Sequence, residues 1–287
     1  MRFIDTHVHF WDPRRFTYPW LQELPELHRP RLPEHLAADA SGLDKVVVIE
    51  ADCSPAQAGA EAAWLQELAL LEPRIGAVVA AVRLEDEAQL SRDLQKLAAL
   101  PLVRGVRRSF QALPAGALAA PAMVAGGQAV AAAGLLFEAT VRCGQLRELA
   151  EFARQVPELT IVLDHLGKPP VASGVVPGWA ADLEQLAALP NLWIKMSGLG
   201  PEARPGEPLE PQIRPFLAAA VDVADPQRLL LGSDWPVSTG RYAPGSYSRW
   251  WTLLLEDTLC VLSTPDRDAV LGTNAERIYM EAGTAHA

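Results

Sequence analysis

The chain has 287 residues, 49% hydrophobic and 21% charged, a balance that builds a large buried core and excludes an intrinsically disordered chain. Its 25 Lys and Arg stand against 35 Asp and Glu, a formal net charge of −10, and no basic run interrupts that background, so a nucleic-acid partner is not expected. The longest apolar stretches, 117–125 and 129–137, are Ala- and Gly-rich and separated by Gly126, Gly127 and Gln128, well short of the ~20 residues that cross a bilayer.

Met1-Arg2-Phe3-Ile4-Asp5 runs directly into an apolar segment with no basic leader or hydrophobic signal core, so the expected location is the cytoplasm. Cys53, Cys143 and Cys260 are widely spaced and outside any CxxC pattern, and read as reduced thiols in a core. The excess negative charge opposes aggregation without setting a subunit count, and a homo-oligomer stays open.

In chain order, apolar β-rich runs are expected at 2–10, 46–51, 75–84, 103–110, 135–141, 160–166, 192–199 and 229–236. Stretches of helical periodicity follow at 33–40, 55–72, 86–100, 121–133, 145–156, 178–189, 208–224 and 247–262, with a last one at 266–281. Strict alternation of eight such units predicts parallel strands joined by crossovers and closed into a (β/α)8 TIM barrel, one domain over residues 1–287. An open doubly wound sheet would more often carry a Gly-rich phosphate loop after the first strand, and none is present. The Pro/Gly-rich segments 168–178, 200–211 and 236–245 follow the sixth, seventh and eighth strands, where barrel loops enclose substrate.

Side chains of a strand alternate between its two faces, and that rule gathers ionisable groups at one rim. His7 and His9 share a parity at the end of the first strand, the spacing for two imidazoles to grip one ion or one water. Glu50 and Asp52, Arg107, Glu138, His165, Lys195 with Ser197, and Asp234 close the other strands. Each has a plain structural alternative. His165 could be a core histidine, Asp234 a turn aspartate before Trp235-Pro236, Arg107 and Lys195 salt-bridge partners of Glu50 or Glu138, and Trp11, Trp20 and Trp235 packing residues. Burying all these charges together without pairing or a ligand costs several kcal/mol each, which a purely structural account does not explain.

Asp5-Thr6-His7-Val8-His9-Phe10-Trp11, Tyr18-Pro19-Trp20, Gly105-Val106-Arg107, Leu163-Asp164-His165-Leu166-Gly167-Lys168-Pro169, Lys195-Met196-Ser197-Gly198-Leu199 and Gly232-Ser233-Asp234-Trp235-Pro236-Val237 resemble the amidohydrolase superfamily. Their order is most similar to its sugar-lactonase branch, with the L-fuconolactonases, L-rhamnonolactonases and 2-pyrone-4,6-dicarboxylate lactonases. The likeness runs from residue 2 to about Tyr279. It implies a deformed (β/α)8 barrel that hydrolyses a lactone at its top face. His7 and His9 match the superfamily's first-strand pair, His165 its sixth-strand histidine and Asp234 its eighth-strand aspartate. Arg107 and Glu138 stand where two-metal members carry a carboxylated lysine or glutamate and a histidine, which speaks against a two-metal centre.

Two cofactor readings follow: one zinc or manganese ion on His7, His9 and Asp234, with Glu138 or His165 as a further ligand, or a metal-independent enzyme, since the branch contains both. The expected catalytic set is Asp234, His165, His9, His7 and Arg107. Trp11, Trp20, Glu50, Glu138, Lys195 and Trp235 are expected to bind a small-molecule substrate, a neutral sugar-acid lactone. The alternatives are a metal-dependent decarboxylase or hydratase of a ring-cleavage acid, and a non-catalytic barrel that binds a sugar acid.

Overall fold

In the computed structural model, residues 2–37, 42–238 and 246–281 are described. Eight parallel strands, β1 (Ile4–Val8), β2 (Lys45–Ile49), β3 (Ile75–Ala81), β4 (Val103–Ser109), β5 (Leu136–Thr140), β6 (Ile161–Leu163), β7 (Leu192–Met196) and β8 (Leu229–Leu231), pair in sequence order. Beyond the short β8, a parallel bridge between Val8 and Trp235 closes the barrel. His9 N donates to Trp235 O at 2.8 Å and Asp234 N to His7 O at 2.9 Å. The backbone that completes the barrel therefore belongs to the residues expected to carry its chemistry.

Helices α1 (Pro33–Ala37), α2 (Ala58–Leu68), α3 (Glu87–Leu97), α4 (Pro121–Ala132), α5 (Leu146–Gln155), α6 (Pro177–Ala187) and α7 (Leu209–Val223) separate successive strands or follow them, and α8 (Ser246–Thr252) and α9 (Thr264–Asp268) complete the chain. The expected helix at 33–40 runs past residue 37 into residues outside the description, as does the end of the loop at 236–245. In α5 the buried set Leu146, Leu149, Ala150, Phe152 and Ala153 forms one stripe of 3.6-residue period against the sheet. Asp86 caps α3 by accepting from Gln89 N at 3.0 Å. The expected helices at 247–262 and 266–281 each begin as α-helix and continue as π-helical turns. Among the described residues no helix is long and apolar enough to cross a membrane.

The strands carry apolar residues on both faces, as parallel strands covered by helices must. Val46, Val48, Val106, Phe137, Ile161, Leu163, Ile194 and Leu231 pack outward with the helices. Ile4, Val47, Ile49, Ala77, Val79, Leu136, Val162, Trp193 and Leu230 pack together inside the barrel, where Ile278 and Tyr279 of the C-terminal segment join them. Of the three free cysteines only Cys53 is buried; Cys260 is exposed, so the core reading does not hold for it. His28 and His35 are exposed.

Candidate active site at the barrel mouth

His7 and His9 reach the mouth because β1 shifts register between Asp5 and Val8. Ile4 points into the barrel, and the bulge turns His7 and His9 inward while Asp5 faces Tyr247 and the Ser233 backbone. His9 Nδ1 lies 3.0 Å from Ile49 O. A carbonyl only accepts, so neutral His9 keeps its proton on Nδ1 and leaves Nε2 as a lone pair. That nitrogen is 3.1 Å from His7 Nε2 and 3.4 Å from Asp234 Oδ1, and His7 Nε2 is 3.7 Å from the same oxygen.

Asp234 follows β8 at φ 53° and His165 follows β6 at φ 54°, the left-handed region that L residues seldom occupy. This overturns one sequence expectation. Residues 161 and 163 face the helices, so continued alternation would send His165 away from the cleft; the left-handed turn brings it back, with Nδ1 at 2.9 Å from Ser197 Oγ. Gly198 gives it room, because a Cβ there would sit 2.1 Å from His165 Nδ1. Burial pushes the His165 imidazole down to about 4, partly opposed by Asp234 and Asp164, so the ring is neutral at neutral pH. Burial alone would raise the Asp234 carboxyl, but His165, His9 and His7 hold it well below the usual range, and its Oδ2 accepts from Ser238 Oγ at 2.6 Å.

Behind this cluster lies a buried charge network. Arg107 Nη1 donates to Glu50 Oε1 at 2.6 Å, and its Nε lies 2.9 Å from Thr140 Oγ1 and 3.0 Å from Asp164 Oδ2. Lys195 Nζ is 2.6 Å from Glu138 Oε2, 3.3 Å from Asp164 Oδ1 and 3.3 Å from His7 Nδ1. Tyr279 donates to the other Glu138 oxygen. Burial raises the Asp164 carboxyl less than Lys195, His7 and Arg107 lower it, so it stays well below the ordinary range.

A cleft of about 180 Å³ opens over His9, His165, Asp234 and Arg107, walled by Trp20, Asp52, Ser109, Gln111, Lys168 and Gly198. The sequence-predicted residues thus divide. His9, His165, Asp234, Arg107 and Trp20 line the cleft, and His7 adjoins it through His9 and Asp234. Glu50 pairs with Arg107 at its edge. Glu138 and Lys195 are fully buried below it. Trp11 is fully buried with Nε1 bonded to backbone carbonyls of Leu27 and Arg29, and Trp235 packs on Phe10. Asp164, Lys168 and Tyr279 were not singled out from sequence. Asp164 shares the inward parity of Val162 and could have been found that way; Tyr279 carries no such signal.

The donor set at the mouth fits one divalent ion. Tetrahedral zinc with bonds of ~2.0–2.1 Å spaces its ligand atoms about 3.3 Å apart, and the three separations of 3.1, 3.4 and 3.7 Å bracket that value. His7, Asp164 and His165 form a second group of close ligand atoms, but Lys195 and Arg107 already compensate Asp164.

The amidohydrolase family pattern matches residues 4–280. The chain belongs to that family. This amidohydrolase is 34% identical over 291 residues to an L-fucono-1,5-lactonase of Burkholderia ambifaria, an alignment covering 99% of this chain and 98% of that one. Among solved structures it is similar to an amidohydrolase from Burkholderia multivorans with bound zinc, 32% identical, TM-score 0.86, covering 97% of this chain and 99% of that chain. A probable 2-pyrone-4,6-dicarboxylic acid hydrolase from Acinetobacter baumannii, 16% identical with TM-score 0.76 over 97% of this chain and 99% of that one, shares the fold.

Proposed function

We propose that this amidohydrolase opens a neutral sugar-acid lactone of the L-fucono-1,5-lactone class by hydrolysis in the cleft, with one zinc ion held by His7, His9 and Asp234. The observation that carries the reading is the convergence of the Nε2 atoms of two imidazoles and a carboxylate oxygen at a cleft of about 180 Å³, in a chain whose full-length relative is named a sugar lactonase. Bound zinc supplies Lewis-acid polarisation of a carbonyl oxygen and acidifies water.

The chain's own residues do the rest. Asp234, held ionised by its imidazole neighbours, takes the proton of the attacking water as the new C–O bond forms. It returns that proton to the ring oxygen when the ester C–O bond breaks, leaving a hydroxy acid. Arg107 and neutral His165 face the tetrahedral oxyanion; with Ser197 Oγ–H donating to Nδ1, the His165 proton sits on Nε2, and a donor of this kind is worth ~3–4 kcal/mol. Trp20, half-buried with Nε1 donating to Ala51 O at 2.8 Å, offers its ring to the C–H face of the sugar. Trp11 and Trp235 are assigned to packing. Glu50 supports Arg107, whose guanidinium cannot meet two carboxylates of a dicarboxylate substrate while bonded to Glu50 and Asp164.

The test is acid release from L-fucono-1,5-lactone and a panel of other aldonolactones, followed with a pH indicator before and after exhaustive chelation. Turnover that disappears on chelation and returns with zinc is the expected result. Acid release from none of the lactones would sink the reading, and undiminished turnover after chelation would remove the metal from it.

A further inference from the structure

We propose that Lys168 and Asp52 bind opposite ends of the substrate: the Lys168 ammonium takes the acyl oxygen, and after ring opening the new carboxylate, while the Asp52 carboxylate takes hydroxyls across the cleft. Naming the ends as acyl and polyol rests on the function proposed above; the two opposed charges do not.

Five non-glycine residues among those described hold a left-handed φ of 50–55°: Asp52, His165, Leu166, Lys168 and Asp234. L residues enter that region at a cost, and such residues cluster at functional sites. The four with ionisable side chains all line the cleft of about 180 Å³. His165 and Asp234 already have roles in the chemistry, which leaves Lys168 and Asp52.

Their charges are weakly committed within the protein. Arg107 is bonded to Glu50 and Asp164, and Arg108 to Glu85 at 2.7 Å. Among the described residues no hydrogen bond reaches Lys168 Nζ; its ion pair with Glu202 Oε1 spans 3.7 Å, although the side chain is only 17% exposed, and that distance is beyond a hydrogen bond. Burial lowers the proton affinity of this amine; Glu202 and Asp234 oppose the shift, and Arg107 and Arg142 add to it. An anionic oxygen in the cleft supplies the missing compensation. Asp52 is exposed at the wall, and among the described residues its carboxylate accepts no hydrogen bond and makes no ion pair.

Lys168 follows β6 and Asp52 follows β2, four strands apart in a ring of eight, so the cleft they both line lies between them. The segment that carries Lys168 also carries His165, which puts two donors on the acyl side. On the β2 side, Trp20 Nε1 donates at 2.8 Å to the carbonyl of Ala51, the residue before Asp52. The ring offered to the C–H face of a sugar and the carboxylate offered to its hydroxyls therefore adjoin. An ammonium only donates and an ionised carboxylate only accepts. A lactone with its carbonyl toward β6 and its hydroxyls toward β2 satisfies both.

The experiment uses the full chain at one fixed metal content. Titration calorimetry with L-fuconate, the opened form of L-fucono-1,5-lactone, reads the acyl end. The ratio of kcat/KM for L-fucono-1,5-lactone to that for δ-valerolactone, a six-membered lactone without hydroxyls, reads the polyol end. Lys168→Met is expected to weaken L-fuconate by ~10–100-fold, the range for losing a hydrogen bond to a charged group. Lys168→Arg, which keeps the charge, should retain most of the affinity. Lys168→Met should lower turnover of both lactones and leave their ratio nearly unchanged. Asp52→Gly, which occupies the left-handed region without strain and so should not lower the melting temperature, is expected to cut the ratio about tenfold or more. Asp52→Asn, which keeps one acceptor, should cut it by less. L-fuconate bound equally by wild type and Lys168→Met, an unchanged ratio in Asp52→Gly, or a Lys168→Met that shifts the ratio as much as Asp52→Gly overturns the inference. If wild type opens none of the lactones, the proposed function falls, and calorimetry decides alone: binding of L-fuconate that Lys168→Met weakens keeps the Lys168 assignment, and absence of binding ends it.

Discussion

The mouth and the floor of the barrel hold the same kinds of side chain in opposite arrangements. At the mouth, His9 and Asp234 bring acceptor atoms to within 3.4 Å of each other, and His7 Nε2 joins them at 3.1 Å from His9. On the floor, Lys195 stands between Glu138 and Asp164, and Arg107, which itself lines the cleft, ties Asp164 to Glu50 at the cleft's edge. Converging acceptors repel unless a cation or a proton lies between them, whereas alternating donors and acceptors satisfy one another. The first arrangement is built to receive something; the second holds the first in place. Substitutions at the mouth should therefore cost turnover, and substitutions behind it should cost stability.

The largest effect expected from this contrast is at Asp234. Asp234→Asn removes the proton acceptor and one anionic ligand, and initial rates on the best lactone of the panel should fall by ~10²–10⁴-fold while the melting temperature moves little. Near-normal turnover would take Asp234 out of the chemistry. The two tryptophans give the next sharpest comparison. Trp20→Leu, at the cleft wall, should raise KM several-fold with a small change in unfolding free energy. Trp235→Leu, buried to 4% exposure against Phe10, should cost about 2–4 kcal/mol in urea unfolding. If Trp235→Leu instead raises KM without loss of stability, the division between wall and packing is drawn in the wrong place.

The smallest effect concerns Glu61, fully buried beside Tyr18 and Cys53 and facing the charge of Glu50. Burial, reinforced by Glu50, pushes its carboxyl from the usual 4.5 up to about 8. Between those values the folded chain keeps a proton that the unfolded chain has lost, so stability present at low pH is lost as pH rises through the folded value. The melting temperature of wild type should therefore fall relative to that of Glu61→Gln from about pH 5 to pH 8, since glutamine does not titrate. A wild type that gains on the variant over the same range would contradict the assignment.

Much of the site was legible from sequence because strand alternation is a local rule. Arg107, Lys195, Glu138 and Asp234 fall on the inward parity and lie where that parity sends them. Alternation also counts His165 among the rim groups, but the parity it shares with Ile161 and Leu163 points to the helices; a left-handed turn after a strand of only three residues, Ile161–Leu163, reverses its direction. Simple alternation along β1 would put Asp5 on the face of His7 and His9; the bulge between Asp5 and Val8 separates them. Trp11 and Trp235 sit inside functional motifs, yet a motif does not say whether a large ring lines a wall or fills the space behind it.

Eight repeats of an apolar run followed by an amphipathic helix leave a parallel closed barrel as the arrangement that buries both faces of every strand, and the order of residues along the chain already contained that. Which charges would meet could not be read the same way. The contacts of Tyr279 with Glu138, of Lys195 with His7 and of Arg107 with Asp164 join residues 141, 188 and 57 positions apart. Distances across a closed barrel depend on register, bulges and turn conformation, all of which arise only when the strands pair. The division of one set of ionisable residues into an open ligand cluster and a compensated support was therefore decided in three dimensions.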